Sequence, residues 1–214
     1  MEPYYYQTLS KAEQSSYQAM QAGLQAFAPS FPVPLLENRA LTDVFMKLRL
    51  DCPQLFYAGT FQYRYYPDSR NAELIPAYLF EKGKLKEHQK ALQARVEKLV
   101  RPVARCSDEE KLLYIHDFIC ENIHYDKLKK PYSHEIIGPL GQGVGVCEGI
   151  AKTVKILCDQ LGIWCIVVIS EANPEKNIKY RHAWNIVKIG GTYYHLDATF
   201  DNTLSHMGPM RYDY

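Results

Sequence analysis

Apolar positions recur along this chain at two periods, three to four residues in some stretches and two in others, and the periods mark helices and strands. Ser10 with Glu13 forms a capping box ahead of Tyr17, Met20, Leu24 and Phe27, so a helix is expected to run up to the proline-rich "APSFPVP". Leu41, Val44, Phe45 and Leu48 mark a second helix that stops before Pro53. "FQYRYY" and "AELIPAYLF" read as strands, the latter at a sheet edge because Pro76 has no N–H to give to a ladder. A charged helix is expected from Lys84 to Pro102. Ser107 with Glu110 is a second capping box, and it opens a stripe of Leu112, Ile115, His116, Ile119, Cys120 and Ile123. On that stripe His116 and Cys120 read as packed side chains, since a buried imidazole readily finds a partner. Lys127 to Gly145, rich in lysine, proline and glycine, reads as a long loop.

That loop leads into "GVGVCEG", residues 143 to 149. Beyond it Ile150, Ala151, Val154, Leu157, Cys158 and Leu161 form one helical face, which Gly162 ends. Cys147 falls on the same face in the first turn. There the unpaired N–H groups and the positive end of the helix dipole favour a thiolate. The preceding glycines would let a substrate backbone approach and leave amides free for an oxyanion. Cysteine is also among the most buried residue types, so a small hydrophobe and a nucleophile both fit this position. Cys158 and Cys165, in mid-helix and mid-strand, read as packing residues.

A nucleophile needs a base. "RHAWNIVKIGGTYYHLDATF" has two strand-like runs meeting at Gly190-Gly191, the signal of a two-residue hairpin. A symmetric turn sets Ile189 opposite Thr192, Trp184 opposite Asp197 and His182 opposite Thr199. His182, Trp184, Ile186, His195 and Asp197 then share one face, and His182 and Asp197 are diagonal neighbours within reach of a hydrogen bond. The carboxylate would fix the ring tautomer, leaving the other nitrogen to face a thiol. A one-residue slip would put Asp197 on the opposite face. His195, nearer the turn, is the competing base and reads as a supporting histidine; Asp201 is expected to be a loop carboxylate.

Composition narrows the function classes. The chain has 214 residues, 47% hydrophobic, and a formal net charge of +1 from 25 basic and 24 acidic side chains. No global field draws it to nucleic acid or to an anionic membrane. The most apolar run, Ile163 to Ile169, is too short to span a bilayer, and "MEPYYYQTLSKAEQ" lacks the features of a secretion signal, so a cytoplasmic location is expected. The six cysteines contain no C-x-x-C pair, which argues against a zinc ribbon; no disulfide, metal or other cofactor is expected.

The helix-starting cysteine, "HAWNIV" ahead of a glycine turn and "YYHLDATFD" together resemble the transglutaminase-like superfamily in its bacterial form. "HDFICENIHYD" is similar to the helix that precedes the core in these proteins. The resemblance spans Ser107 to Asn202. It implies an α+β fold with a papain-like core, in which the cysteine-bearing helix packs on an antiparallel sheet, and it implies Cys147, His182 and Asp197 as the catalytic triad. Residues 1–104 are expected to be a mainly helical region with a short β-hairpin. Residues 105–214 are expected to be the catalytic core, truncated at its C-terminus where the chain stops at "MRYDY". The expected function is thiol-dependent acyl transfer on amide bonds of a protein or peptide, as a peptidase or amide hydrolase; glutamine transamidation and a non-catalytic binding module are the alternatives. For the oxyanion hole, the Cys147 N–H would need a second donor, for which Gln142 is the nearest upstream amide side chain and Tyr132 the other candidate.

Overall fold

The computed structural model describes residues 2–205; the terminal "MRYDY" lies outside them. The chain divides into two compact units, Glu2–Lys86 and a second that begins at Glu87. The division falls inside the charged helix, ahead of the expected boundary at 104.

The first unit runs α1 (Tyr4–Thr8), α2 (Lys11–Gln25), β1 (Phe31–Pro34), α3 (Asn38–Asp51), β2 (Ala58–Tyr65) and β3 (Asn71–Tyr78). The Ser10/Glu13 box caps α2: Glu13 Oε2 accepts from the Ser10 N–H at 2.8 Å, and Ser10 Oγ from the Glu13 N–H at 3.4 Å. Instead of a lone hairpin, three strands form an antiparallel sheet in the order β1-β3-β2. The extra strand is "FPVP", whose two prolines hide it from propensity; its alternation is intact, with Phe31 and Val33 buried. Pro76 therefore lies in the central strand. β1 covers β3 only as far as Leu74, so Pro76 sits beside an unpaired edge, where a missing N–H costs nothing. The short α1 has Pro3 at its N-cap and no capping side chain; Asp51 accepts from the Tyr5 and Tyr6 N–H groups, each at 3.0 Å.

The helix α4 (Lys82–Val100) crosses into the second unit. There follow α5 (Asp108–Asn122), β4 (His124–Tyr125), β5 (Val144–Gly145), α6 (Cys147–Gln160), β6 (Trp164–Ser170), β7 (His182–Ile189), β8 (Thr192–Leu196) and α7 (Ala198–Ser205). β6, β7 and β8 make an antiparallel sheet in that order. α6 buries Ile150, Ala151, Val154, Leu157 and Cys158, while Cys165, Ile166 and Val167 of β6 and Ala183, Asn185 and Val187 of β7 are buried in the sheet. Each large aliphatic side chain so buried stabilises the fold by about 1.5–3 kcal/mol. Asn185 of "HAWN" joins the layers: its Nδ2 donates to Ala151 O of α6 at 2.9 Å and to Ile166 O of β6 at 3.2 Å. At the other end, Asn202 of α7 caps the C-terminus of α5, donating to the carbonyls of Ile119, Cys120 and Ile123 at 2.8–3.3 Å.

The stretch from 127 to 145 is not the open loop its composition suggests. It folds into a 3₁₀ turn (Pro131–His134), a π-helical turn (Gly138–Gln142) and β5, with Ser133 and residues 135–140 buried. Asp126 organises its start, accepting from the Leu128 and Lys130 N–H groups at 2.9 and 3.0 Å and from the Ser133 hydroxyl. Short 3₁₀ and π turns carry no repeating apolar period, so the pattern could not reveal them.

Candidate active site

Cys147 is the first residue of α6, and its N-cap, Val146, offers no side-chain bond to the helix end. The first amides of α6 are thus without a capping side chain beside the thiol. The glycines on either side of Cys147 allow close packing. A Cβ on Gly145 would lie 2.8 Å from Pro139 Cγ, and one on Gly149 would meet the Ser133 carbonyl oxygen. They let the turns at 131–142 press against the start of α6.

Charges fix the same helix end. Lys152, one turn on and wholly buried, holds Glu148 at 2.8 Å and Glu135 at 2.9 Å. Glu148 also takes Arg181 Nη1 at 3.0 Å. The residue after the cysteine is therefore paired with the residue before His182, which ties α6 to the start of β7. Removing one partner from so buried a set costs about 3–5 kcal/mol.

The hairpin has the register its glycine turn predicts. Ile189 pairs with Thr192 and the ladder continues to Asn185 opposite Leu196, with Gly190 and Gly191 at φ +54° and +89°. β8 ends at Leu196, so Asp197 is the residue after the strand and not part of it. It caps α7: Oδ1 accepts from the Phe200 N–H at 3.1 Å. Its other oxygen, Oδ2, lies 2.6 Å from His182 Nε2. Nδ1 is left for Cys147, whose thiol lies near enough to help raise the His182 pKa. Trp184 stacks on the His182 ring, centroids 5.9 Å apart and planes at 16°, and donates through Nε1 to His195 Nδ1 at 2.9 Å. His195 supports the tryptophan and is not aimed at the cysteine.

These contacts move both titrations. The hydrogen bond from Asp197, then that from Cys147, outweighs partial burial, and the His182 pKa is pushed up to about 10. For Cys147, burial pushes the thiol up, but hydrogen bonds from His182 and from the Ala183 and Glu148 N–H groups, with the histidine's charge, bring the net below the ordinary value. Both shifts run towards a thiolate–imidazolium pair.

Gln142 is exposed at the end of the π turn, and Tyr132 is hydrogen-bonded to Lys130. Tyr125, which the pattern did not single out, is held opposite Gly145, two residues before Cys147, and burial first, then the Cys147 charge, raises its pKa. Only its place in "HYD" pointed to it. His116 and Cys120 are packed, as their stripe predicts, each 4% exposed. Asp201 is not a loop carboxylate: it lies in α7, buried, with Oδ2 3.2 Å from His116 Nε2. Cys158 and Cys165 are buried, and their mutual hydrogen bond together with burial holds Cys158 well above its ordinary pKa.

Residues 93–198 match the transglutaminase-like superfamily. The core belongs to that superfamily. No curated protein matches the chain. The fold is similar to a TGase, with a TM-score of 0.45 and 10% identity over 86% of this chain and 53% of that one. It is similar also to a candidate cysteine protease from Cytophaga hutchinsonii (TM-score 0.40, 15% identity, 65% of this chain and 61% of that one). A candidate protease from Parabacteroides distasonis gives 0.37 and 12%, over 65% of this chain and 36% of that one. The chain spans less than two thirds of each of these proteins. The transglutaminase-like core is α+β, with its cysteine-bearing helix packed on the antiparallel sheet. Among the described residues no helix is long and apolar enough to cross a membrane.

Proposed function

We propose that this transglutaminase-like core cleaves amide bonds of proteins or peptides by thiol-dependent acyl transfer. Cys147 is the nucleophile, His182 the general acid and base, and Asp197 the group that orients the imidazole. The observation that carries the reading is the thiol at an uncapped helix start beside an imidazole whose other nitrogen is 2.6 Å from a carboxylate. The Cys147 thiolate attacks the carbonyl carbon, and the tetrahedral intermediate's oxygen faces the Cys147 N–H. His182 gives its proton to the amine nitrogen as the C–N bond breaks, leaving a thioester. Water then attacks the thioester while His182 takes its proton, which frees the acid and restores the thiol pair.

Hydrolysis is favoured over transamidation because the His182 side chain is 36% exposed, and transamidation needs the thioester kept from water until an amine arrives. Limiting iodoacetamide at pH 7 followed by peptide mapping tests the nucleophile: Cys147 is expected to label before the other five cysteines. Casein-derived peptides offered with a fluorescent primary amine test the reaction class. Cleavage or deamidation is the expected outcome; amine incorporation without hydrolysis would select transamidation, and no product across a broad peptide set would select a binding module.

A further inference from the structure

Two polar attachments join α6 to β7 and its approach, and they differ in depth. Asn185, fully buried, donates from the middle of the strand to Ala151 O of α6. The other lies at the catalytic end, where Glu148 follows the cysteine and Arg181 precedes the histidine. Arg181 Nη1 donates to Glu148 Oε2 at 3.0 Å, and its Nε donates to Oε1 of Glu171, the residue after β6, at 3.2 Å. One guanidinium thus spans the start of α6, the end of β6 and the start of β7. Glu148 is held from the other side as well. The Lys152 ammonium lies 2.8 Å from Glu148 Oε1, and it is fixed in turn by Glu135 Oε1 at 2.9 Å and the His134 carbonyl at 3.3 Å. The Glu148 carboxylate is therefore a buried post, while the Arg181 side chain, 37% exposed, reaches it from the rim. An ion pair with one partner so open to water adds little to folding stability. A displacement of about 1 Å between reacting groups, by contrast, can cost 10²-fold in rate. The weight of such a pair falls on alignment.

We infer that the Glu148–Arg181 pair is a positioning device that sets the approach of Cys147 to His182, each of its members being the chain neighbour of one reacting residue. The inference rests on the reading of Cys147 as nucleophile and His182 as its partner. Glu148 and Arg181 act through the backbone they clamp, and one peptide unit separates each from the residue it places. A loosened pair lets thiol and imidazole drift apart, and the thiol then loses the nearby positive charge that favours its thiolate.

The test follows, in the full chain, the pH midpoint of Cys147 alkylation by iodoacetamide, read by peptide mapping beside a urea melt. Arg181→Ala is expected to raise that midpoint by about one pH unit and to slow alkylation at pH 7 about tenfold. Its urea midpoint should stay close to wild type, since Glu148 keeps Lys152. Glu148→Gln separates position from field. Losing a positive charge near a thiolate raises its midpoint and losing a negative charge lowers it, so the field alone would move the two variants in opposite directions; positioning moves both upward. Where Glu148→Gln does not fold, Glu171→Gln at an exposed residue decides by the same sign: a rise supports the inference, and a fall or no change overturns it. Opposite shifts in Arg181→Ala and Glu148→Gln would overturn it too, as would an unchanged midpoint in Arg181→Ala, with or without a weaker urea melt. Wild-type labelling spread evenly over the cysteines is a different result, since it removes the nucleophile reading beneath the inference.

Discussion

Among the described residues, the second unit holds two clusters of cysteine, histidine and aspartate whose arrangements differ. In the first, one nitrogen of His182 is left for Cys147 and Asp197 holds the other. In the second, Cys120 Sγ lies 3.6 Å from His116 Nε2, the same nitrogen that Asp201 approaches, while Asp117 takes Nδ1 at 3.1 Å. The thiol and a carboxylate thus compete for one ring nitrogen. Burial and the charges of Asp201, Asp117 and Glu121 push the Cys120 thiol up to about 12. Cys147 is partly buried too, but a helix start, the Ala183 N–H and an imidazolium surround its sulfur with donors, and its pKa falls. Residue types and closeness do not make a nucleophile; the balance of donors over acceptors around the sulfur does.

The largest expected difference between the clusters is in thiolate population. With Cys120 pushed up to about 12 and Cys147 below its ordinary value, the Cys147 thiolate is expected to be by far the more abundant at pH 7, before access is counted. Mass-resolved alkylation measures it, and comparable labelling of the two would erase the distinction. Next come the partners. His182→Ala is expected to cut Cys147 acylation by about 10²–10⁴-fold with the fold kept, because the acid and base is gone. His116→Ala and Asp201→Asn should leave acylation per folded molecule unchanged but lower stability by about 3–5 kcal/mol, as loss of one member of a buried pair does. Urea melts set beside acylation rates separate these outcomes, and an acylation loss in the His116 variant would join the two clusters into one site.

The pH response sharpens the contrast further. Acylation needs thiolate and imidazolium together, so its rate is expected to fall on the acid side through the lowered Cys147 pKa and on the alkaline side near pH 10. Stability follows with its own sign. His182 is raised from 6.5, so its contribution is complete below pH 6.5 and is lost as pH rises through about 10. The melting temperature gap between wild type and His182→Ala should close over that window. Asp197 gives a smaller split: Asp197→Asn keeps a competent cap on α7, whereas Asp197→Ala should cost about 1 kcal/mol more in urea unfolding. The smallest effect is at His195, which touches Trp184 and not the sulfur; His195→Ala is expected to change Cys147 alkylation by less than about threefold.

Much of this site was legible because local chemistry dictated it. Two adjacent glycines set the hairpin register, and the register brought His182 to Asp197. Apolar spacing from Ile150 to Leu161 put Cys147 at a helix start. Where several residues must agree at a distance, the pattern was silent. Tyr125 is held opposite Gly145 by a two-residue parallel bridge, and Glu148 meets Arg181 across more than thirty positions of chain. Residues 135–140 are buried without helical or strand period. Asp201 reads as a loop residue because it follows the end of β8 and α7 carries no apolar repeat.

The double duty of Asp197 bears on how the protein is made. Synthesis delivers Cys147 well before His182, and His182 before Asp197, and the carboxylate is seated only when the first turn of α7 has formed upon it. A nascent chain with α7 still in the exit tunnel therefore carries the thiol without its oriented partner. The Cys147–His182–Asp197 set is thus completed only once α7 has emerged.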